Sequence, residues 1–94
     1  MPIHIYKEKG HKNCIFVMDF ELIDELNSMW LFVKTKTGIL VSEYEDAIII
    51  SNHMRLMISF IADNFLARNN KRVNEFLEML KENEGTGAIY FAGE

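Results

Sequence analysis

The segment 71–84 constrains the fold most, because its apolar residues recur at helical spacing. Its stripe consists of Val73, Phe76, Leu77 and Leu80. This spacing places them on one face of a helix. Asn70 precedes the stripe as a candidate N-cap, and Gly85 follows it as a C′ glycine. Because a helix with one apolar face has to bury that face against another layer, the rest of the chain must supply that layer.

Several short β-rich runs can supply it. Residues 3–7 and 14–18 flank a polar loop that contains Gly10, which predicts a hairpin. Residues 88–92 predict a short closing strand. The apolar run 47–50 predicts a buried central strand, because it is β-branched and too short for a helix alone. A helix that starts earlier is the alternative, since Ser42 and Glu45 match a capping box.

A helix is predicted over 19–26, where Asp19 can cap the first turn and Leu22, Ile23 and Leu26 share a face. The next segment is ambiguous. Aromatic and β-branched residues in 29–35 favour a second hairpin, with a turn at 36–38 and a strand over 39–44. Gly38 would take the left-handed position of that turn. The alternative extends the helix as far as Gly38, because apolar residues keep helical spacing through 29–33.

A longer helix is predicted over 52–67. Its main apolar stripe consists of Met54, Met57, Ile58, Ile61, Phe65 and Leu66. Leu56 and Phe60 lie off this stripe, so the helix is apolar on more than one side. Such a helix needs a second neighbour, which predicts either a doubly covered helix or a homodimer face.

These elements predict an α+β fold, with a small antiparallel or mixed β-sheet and two to three helices packed on it, as a single domain over residues 1–94. The net charge of −4 and the pI near 5.3 argue against a general binder of nucleic-acid backbones. We therefore expect neither a nucleic-acid nor a membrane partner. The most apolar stretch, 47–62, is interrupted by polar residues, and no secretory signal is visible, so a cytoplasmic location is expected.

No motif predicts an enzyme or a cofactor. His11 and Cys14 have a spacing that zinc ligands use, but no second pair of Cys or His follows. The glycines of 85–87 follow a helix instead of preceding one, as a phosphate loop would. The basic stretch 68–72 could contact a phosphate, although a polar turn between helices explains it as well.

The acidic residues carry the functional prediction. Eleven of the fourteen fall within 19–25, 43–46 and 75–84. Clustered carboxylates attract basic surfaces and speed encounter with them. The predicted partner-binding residues are Asp19, Glu21, Asp24, Glu25, Glu43, Tyr44, Glu45 and Asp46. Trp30, Tyr44 or Tyr90 would be the aromatic anchors if exposed nearby.

The sequence thus predicts a small, acidic, non-enzymatic binding or inhibitor protein, of the immunity or antitoxin kind, that neutralises a basic partner such as a nuclease toxin. Two alternatives remain open. The first is a homo-oligomeric adaptor that uses the apolar helix 52–67. The second is a small-molecule sensor with a pocket beneath the helices and His53 or Cys14 at its wall.

Overall fold

A computed structural model describes residues 2–8, 13–41, 46–64, 70–85 and 87–93. Its elements, in chain order, are β1 (Ile3–Tyr6), β2 (Cys14–Met18), α1 (Phe20–Glu25), α2 (Asn27–Thr37), β3 (Ala47–Ile49), α3 (Ser51–Asn64), α4 (Lys71–Asn83) and β4 (Ile89–Ala92). The strands form an antiparallel sheet in the order β2-β1-β4-β3. This confirms the predicted α+β class.

The helices cover one face of the sheet. Side chains alternate between the two faces of a strand, and in β1 Ile3 and Ile5 are fully buried while His4 and Tyr6 are only half-buried. Ile3, Ile5 and their counterparts in the other strands form a single hydrophobic cluster with buried residues of all four helices. The predicted stripe of α4 contributes four members to this cluster, and Phe76 at its centre is fully buried.

A β-bulge in β2 decides which of its side chains face the helices. Ile5 is paired with Phe16 and Tyr6 with Cys14, so Ile15 is the extra residue. Ile15 and Phe16 both pack against the core. Because the bulge shifts the alternation by one position, Cys14 shares a face with Tyr6, away from the helices, and is exposed.

The predicted hairpin over 29–44 is wrong, because residues 27–37 form helix α2. Trp30 donates its backbone N–H to the Leu26 carbonyl at 3.1 Å, and Gly38 ends the helix in the left-handed conformation with φ of 78°. The alternative prediction, that helix extends as far as Gly38, is confirmed. Leu26 is the junction between α1 and α2. Helical spacing outweighed β propensity here because it buries Met29, Trp30 and Val33 together. Residues 39–41 form no strand, and 42–45 lie outside the described residues.

The run 47–50 does contain a strand, but β3 is an edge strand and not the predicted central one. The central positions are held by β1 and β4, since β4 pairs with both β1 and β3. Ile49 is fully buried, whereas Ile48 is 55% exposed on the opposite face. The continuous apolar run therefore combines Ala47 and Ile49, which pack on the core, with exposed isoleucines at a sheet edge.

Part of the broad apolar surface on α3 is covered within the chain. Met54, Met57 and Ile61 are fully buried in the core. Phe60, which lies off that stripe, packs against Phe32 of α2 with 5.0 Å between ring centroids. Helix α3 contacts both α2 and α4, which corresponds to the predicted doubly covered helix. Phe65 and Leu66 of the predicted stripe lie outside the described residues, and self-association through this helix stays a prediction.

Asp19 caps α1 as predicted. Two substitutions separate its hydrogen bond in the cap from its negative charge. The Leu22 amide donates to Asp19 Oδ1 at 2.9 Å. We expect Asp19→Ala to lower the free energy of unfolding by about 1 kcal/mol, because a first-turn amide loses its acceptor. Asp19→Asn should be nearly neutral, since its amide oxygen keeps the hydrogen bond while the charge is removed. Urea denaturation of both variants checks this, and equal losses would contradict a capping role.

Candidate partner-binding surface

Helix α1 presents its carboxylates to solvent. Asp19, Glu21, Asp24 and Glu25 are all exposed, while Leu22 and Leu26 turn into the core. The short amphipathic helix thus separates its apolar and acidic sides, as the sequence predicts. Within the described parts of the chain, no lysine or arginine lies within salt-bridge distance of these four carboxylates.

Asp46 lies at the same end of the sheet as α1, although at the opposite edge. Strand β3 runs parallel to β1, and Asp46 immediately precedes β3. Strand β2 runs antiparallel to β1 and leads directly into Asp19. The strands β2 and β3, which lead to these two residues, are three strand spacings apart, or about 14 Å. We call this part of the molecule, with the exposed residues Asp19, Glu21, Asp24, Glu25 and Asp46, the acidic end.

Three of the predicted binding residues cannot be placed on this surface. Glu43, Tyr44 and Glu45 lie outside the described residues. They immediately precede Asp46 in the chain. Their contribution to a partner contact stays a prediction.

A small cleft joins the acidic end to the start of α4. Its volume is about 180 Å³, and its lining residues are Asp19, Glu21, Leu22, Glu25, Asn70 and Arg72. The first acidic stretch of the sequence therefore adjoins the first turn of the helix that carries the third. Sequence reasoning could not bring these two stretches together, because their proximity depends on the packing of α4 beside β2.

Arg72 is held in place by three contacts. It donates from Nη2 to the Val17 carbonyl at 2.8 Å and from Nη1 to Glu75 Oε1 at 3.0 Å. Its guanidinium also lies over the Phe16 ring, 5.0 Å from the centroid. These contacts attach α4 to the edge strand β2. They favour a structural role for Arg72 over the phosphate contact considered for 68–72, of which 68 and 69 lie outside the described residues.

Among the described residues, the exposed aromatic side chain at this surface is Phe20, which sequence reasoning missed. Trp30 is only 9% exposed and donates from Nε1 to the Ile23 carbonyl at 3.0 Å, so it does not meet the condition of exposure set for an anchor. Tyr90 is half-buried on the sheet face opposite the helices. Phe20 is 62% exposed between Asp19 and Glu21. Its position outside the apolar stripe of α1 was the available signal.

Within the described part of the chain, the residues considered for metal chemistry form no cluster. Among the described residues, no three His, Cys, Asp or Glu side chains come close enough to hold a metal ion. The backbone N–H of Ile50 donates a hydrogen bond to His53 Nδ1 at 3.3 Å, near the start of α3. Cys14 is exposed on the far face of the sheet, and His11 lies outside the described residues.

Glycine has a structural role after α4. Gly87 adopts a φ of 111° between α4 and β4, and the Ser51 hydroxyl donates to its carbonyl at 3.4 Å. This geometry fits a chain reversal better than a phosphate loop.

None of the helices in the described chain has the length and apolar character needed to cross a membrane.

Comparisons with protein-family models, with curated proteins and with solved structures gave no significant match. Function therefore has to be inferred from the surfaces of this chain.

Proposed function

We propose that this chain is a non-enzymatic binding protein that neutralises a basic protein partner, in the manner of an immunity protein or antitoxin directed at a nuclease. The observation that carries the proposal is the acidic end, where five exposed carboxylates share one end of the sheet. A cationic cleft that binds nucleic acid would be attracted to this surface.

Electrostatics and an apolar anchor would have different tasks in such a complex. Exposed carboxylates mainly accelerate encounter and select the partner, because rim charges add little net affinity. Affinity usually depends on a few aromatic or arginine residues that become buried near the centre of the interface. Phe20 is suited to that task, since it is exposed and lies between two carboxylates of the acidic end.

The spacing of the carboxylates suits one contact. An interface of standard size covers about 800 Å² on each partner. A patch of that area is roughly 30 Å across, so a single partner can span the 14 Å or so between the two edges of the acidic end.

Two double variants with the same net charge test this proposal, because only one of them alters the acidic end. Asp24→Lys/Glu25→Lys alters the acidic end, and Glu8→Lys/Glu84→Lys alters the opposite end of the sheet. Each takes the formal net charge from −4 to zero. Immobilised wild-type protein should capture a basic protein from native lysate at low salt and release it at moderate salt.

The D24K/E25K variant should lose that protein, and the E8K/E84K variant should retain it. Light scattering on the wild-type protein should give a monomer. Equal capture by both variants would contradict the proposal, because binding would then depend on something other than the acidic end. A stable homodimer that captures nothing would instead favour the oligomeric alternative.

A further inference from the structure

A long open groove runs between the sheet edge and α4, apart from the acidic end. Its volume is about 930 Å³. The lining residues are Lys7, Ile15, Phe16, Lys71, Asn74, Glu75, Glu78, Met79, Glu82 and Asn83. The lining spans α4 from its first residue to its last, a length of about 18 Å at 1.5 Å per residue.

The floor of the groove is apolar and its helical rim is acidic. Ile15 and Phe16, brought to the same side by the bulge, form the floor with Met79. Glu75, Glu78 and Glu82 are exposed on α4 at spacings of three and four residues, which makes them one stripe along the groove. The acidic stretch of α4 was visible in the sequence, but its place beside an apolar floor was not, because β2 and α4 are more than 50 residues apart.

The acidic stripe keeps its charge available. Glu75 pairs with Arg72 at 3.0 Å and Glu78 pairs with Lys81 at 3.9 Å, but these side chains are between 43% and 66% exposed. Arg72 engages Glu75 and lies over the Phe16 ring, so the carboxylates that stay available are Glu78 and Glu82. The longer Glu78–Lys81 pair contributes little, and Glu82 forms no ion pair with another described residue. The Glu78–Glu82 side of the groove is thus complementary to a ligand with an apolar ridge and a basic flank.

The edge of β2 disfavours an added strand. A bulge interrupts its ladder at Ile15, and Arg72 Nη2 already occupies the Val17 carbonyl. Both features are ways in which proteins block pairing at a sheet edge. A ligand in the groove would therefore be held through side chains, as a helix is in a groove, and not through backbone hydrogen bonds.

We propose that this β2–α4 groove binds an amphipathic helix of about three turns, with leucine-like side chains on the floor and Lys or Arg beside the α4 stripe. The inference rests on the proposed function, because it assigns this helix to the basic partner. It makes the groove a second contact, distinct from the acidic end, that recognises shape as well as charge.

A labelled model peptide tests the groove without the natural partner. The probe is a helical peptide of about 14 residues, with Leu at positions i, i+3, i+4 and i+7 and Lys elsewhere, and the control peptide replaces each Lys with Glu. Fluorescence polarisation should show binding of the Leu/Lys peptide only. The variant Glu78→Lys/Glu82→Lys should weaken binding about tenfold or more, because it places cations against cations.

The matched control is D24K/E25K, which has the same net charge as E78K/E82K and leaves the groove intact. It should bind the Leu/Lys peptide within about twofold of wild type at moderate salt, because neither Asp24 nor Glu25 lines the groove and salt screens exposed charges. Methyl NMR provides the location: resonances of Ile15 and Met79 should shift on titration, and that of Met57, buried in α3, should not.

The proposal is overturned if both variants lose the peptide equally, if the Leu/Glu peptide binds as well, or if Ile15 and Met79 do not respond. Its failure is distinguishable from that of the proposed function. Loss of the peptide in E78K/E82K supports the groove even if D24K/E25K still captures the lysate protein. Loss in D24K/E25K alone overturns the groove and leaves the acidic end as the binding surface.

Discussion

Replacing Phe76 with alanine is expected to lower the free energy of unfolding by about 3–5 kcal/mol. Phe76 is fully buried, and its ring contacts Trp30 edge-on at 6.0 Å and Phe16 at 5.8 Å between centroids. It therefore connects α2, α4 and the sheet, and its removal leaves a cavity among aromatic rings that cannot collapse freely. Domains of this size have a total stability of about 5–15 kcal/mol, so the variant would be close to unfolding.

Phe20→Ala is the matched control, because it makes the same substitution at a side chain that is 62% exposed. It should change stability by no more than about 0.5 kcal/mol. Urea denaturation followed by circular dichroism compares the two variants. A stable Phe76→Ala protein would contradict the placement of α4 on the sheet. Phe20→Ala should instead weaken capture of the partner, which gives the two phenylalanines opposite phenotypes.

The second large effect concerns the rate of association with the captured basic partner. At low ionic strength, D24K/E25K should associate with the partner at least about tenfold more slowly than wild type does. The reason is that long-range attraction raises association rates by factors of about 10 to 1,000. The logarithm of its rate should also depend less steeply on salt. Asp24 and Glu25 are exposed where α1 meets α2, and substitutions of exposed side chains change stability little, so the fold should tolerate both changes.

E8K/E84K provides the comparison at equal net charge. Glu8 follows β1 at the end of the sheet opposite the acidic end, and Glu84 is the C-cap of α4, whose last turn lies near Lys7. Stopped-flow measurements at three salt concentrations separate the two variants. If both slow association equally, net charge alone is responsible and the acidic end has no special role.

Local signals in the sequence predicted most of the elements. The stripe of α4, the caps at Asp19 and Asn70, and the first hairpin follow from short-range spacing and hydrogen bonding, and each is present. The error at α2 arose where two short-range rules conflict. Trp30 and Val33 have β propensity, but burial of both against the same core requires helical spacing, and only the tertiary structure supplies that core.

Surface predictions depended on which elements become neighbours. The exposure of the α1 carboxylates could be anticipated from one amphipathic helix. The edge position of β3 could not, because the insertion of β4 beside β1 is a long-range pairing. The same holds for the β2–α4 groove, whose lining combines residues from opposite halves of the chain, and for the burial of Trp30, which donates to the Ile23 carbonyl.

Amide chemical-shift mapping with the captured partner tests the central claim most directly. Residues of the protein are labelled with ¹⁵N, and unlabelled partner is added to saturation. We expect the largest perturbations in α1, from Phe20 to Glu25, and around Asp46. Perturbations confined to α3 or to the sheet face that carries Tyr6 and Tyr90, with α1 unchanged, would contradict binding through the acidic end.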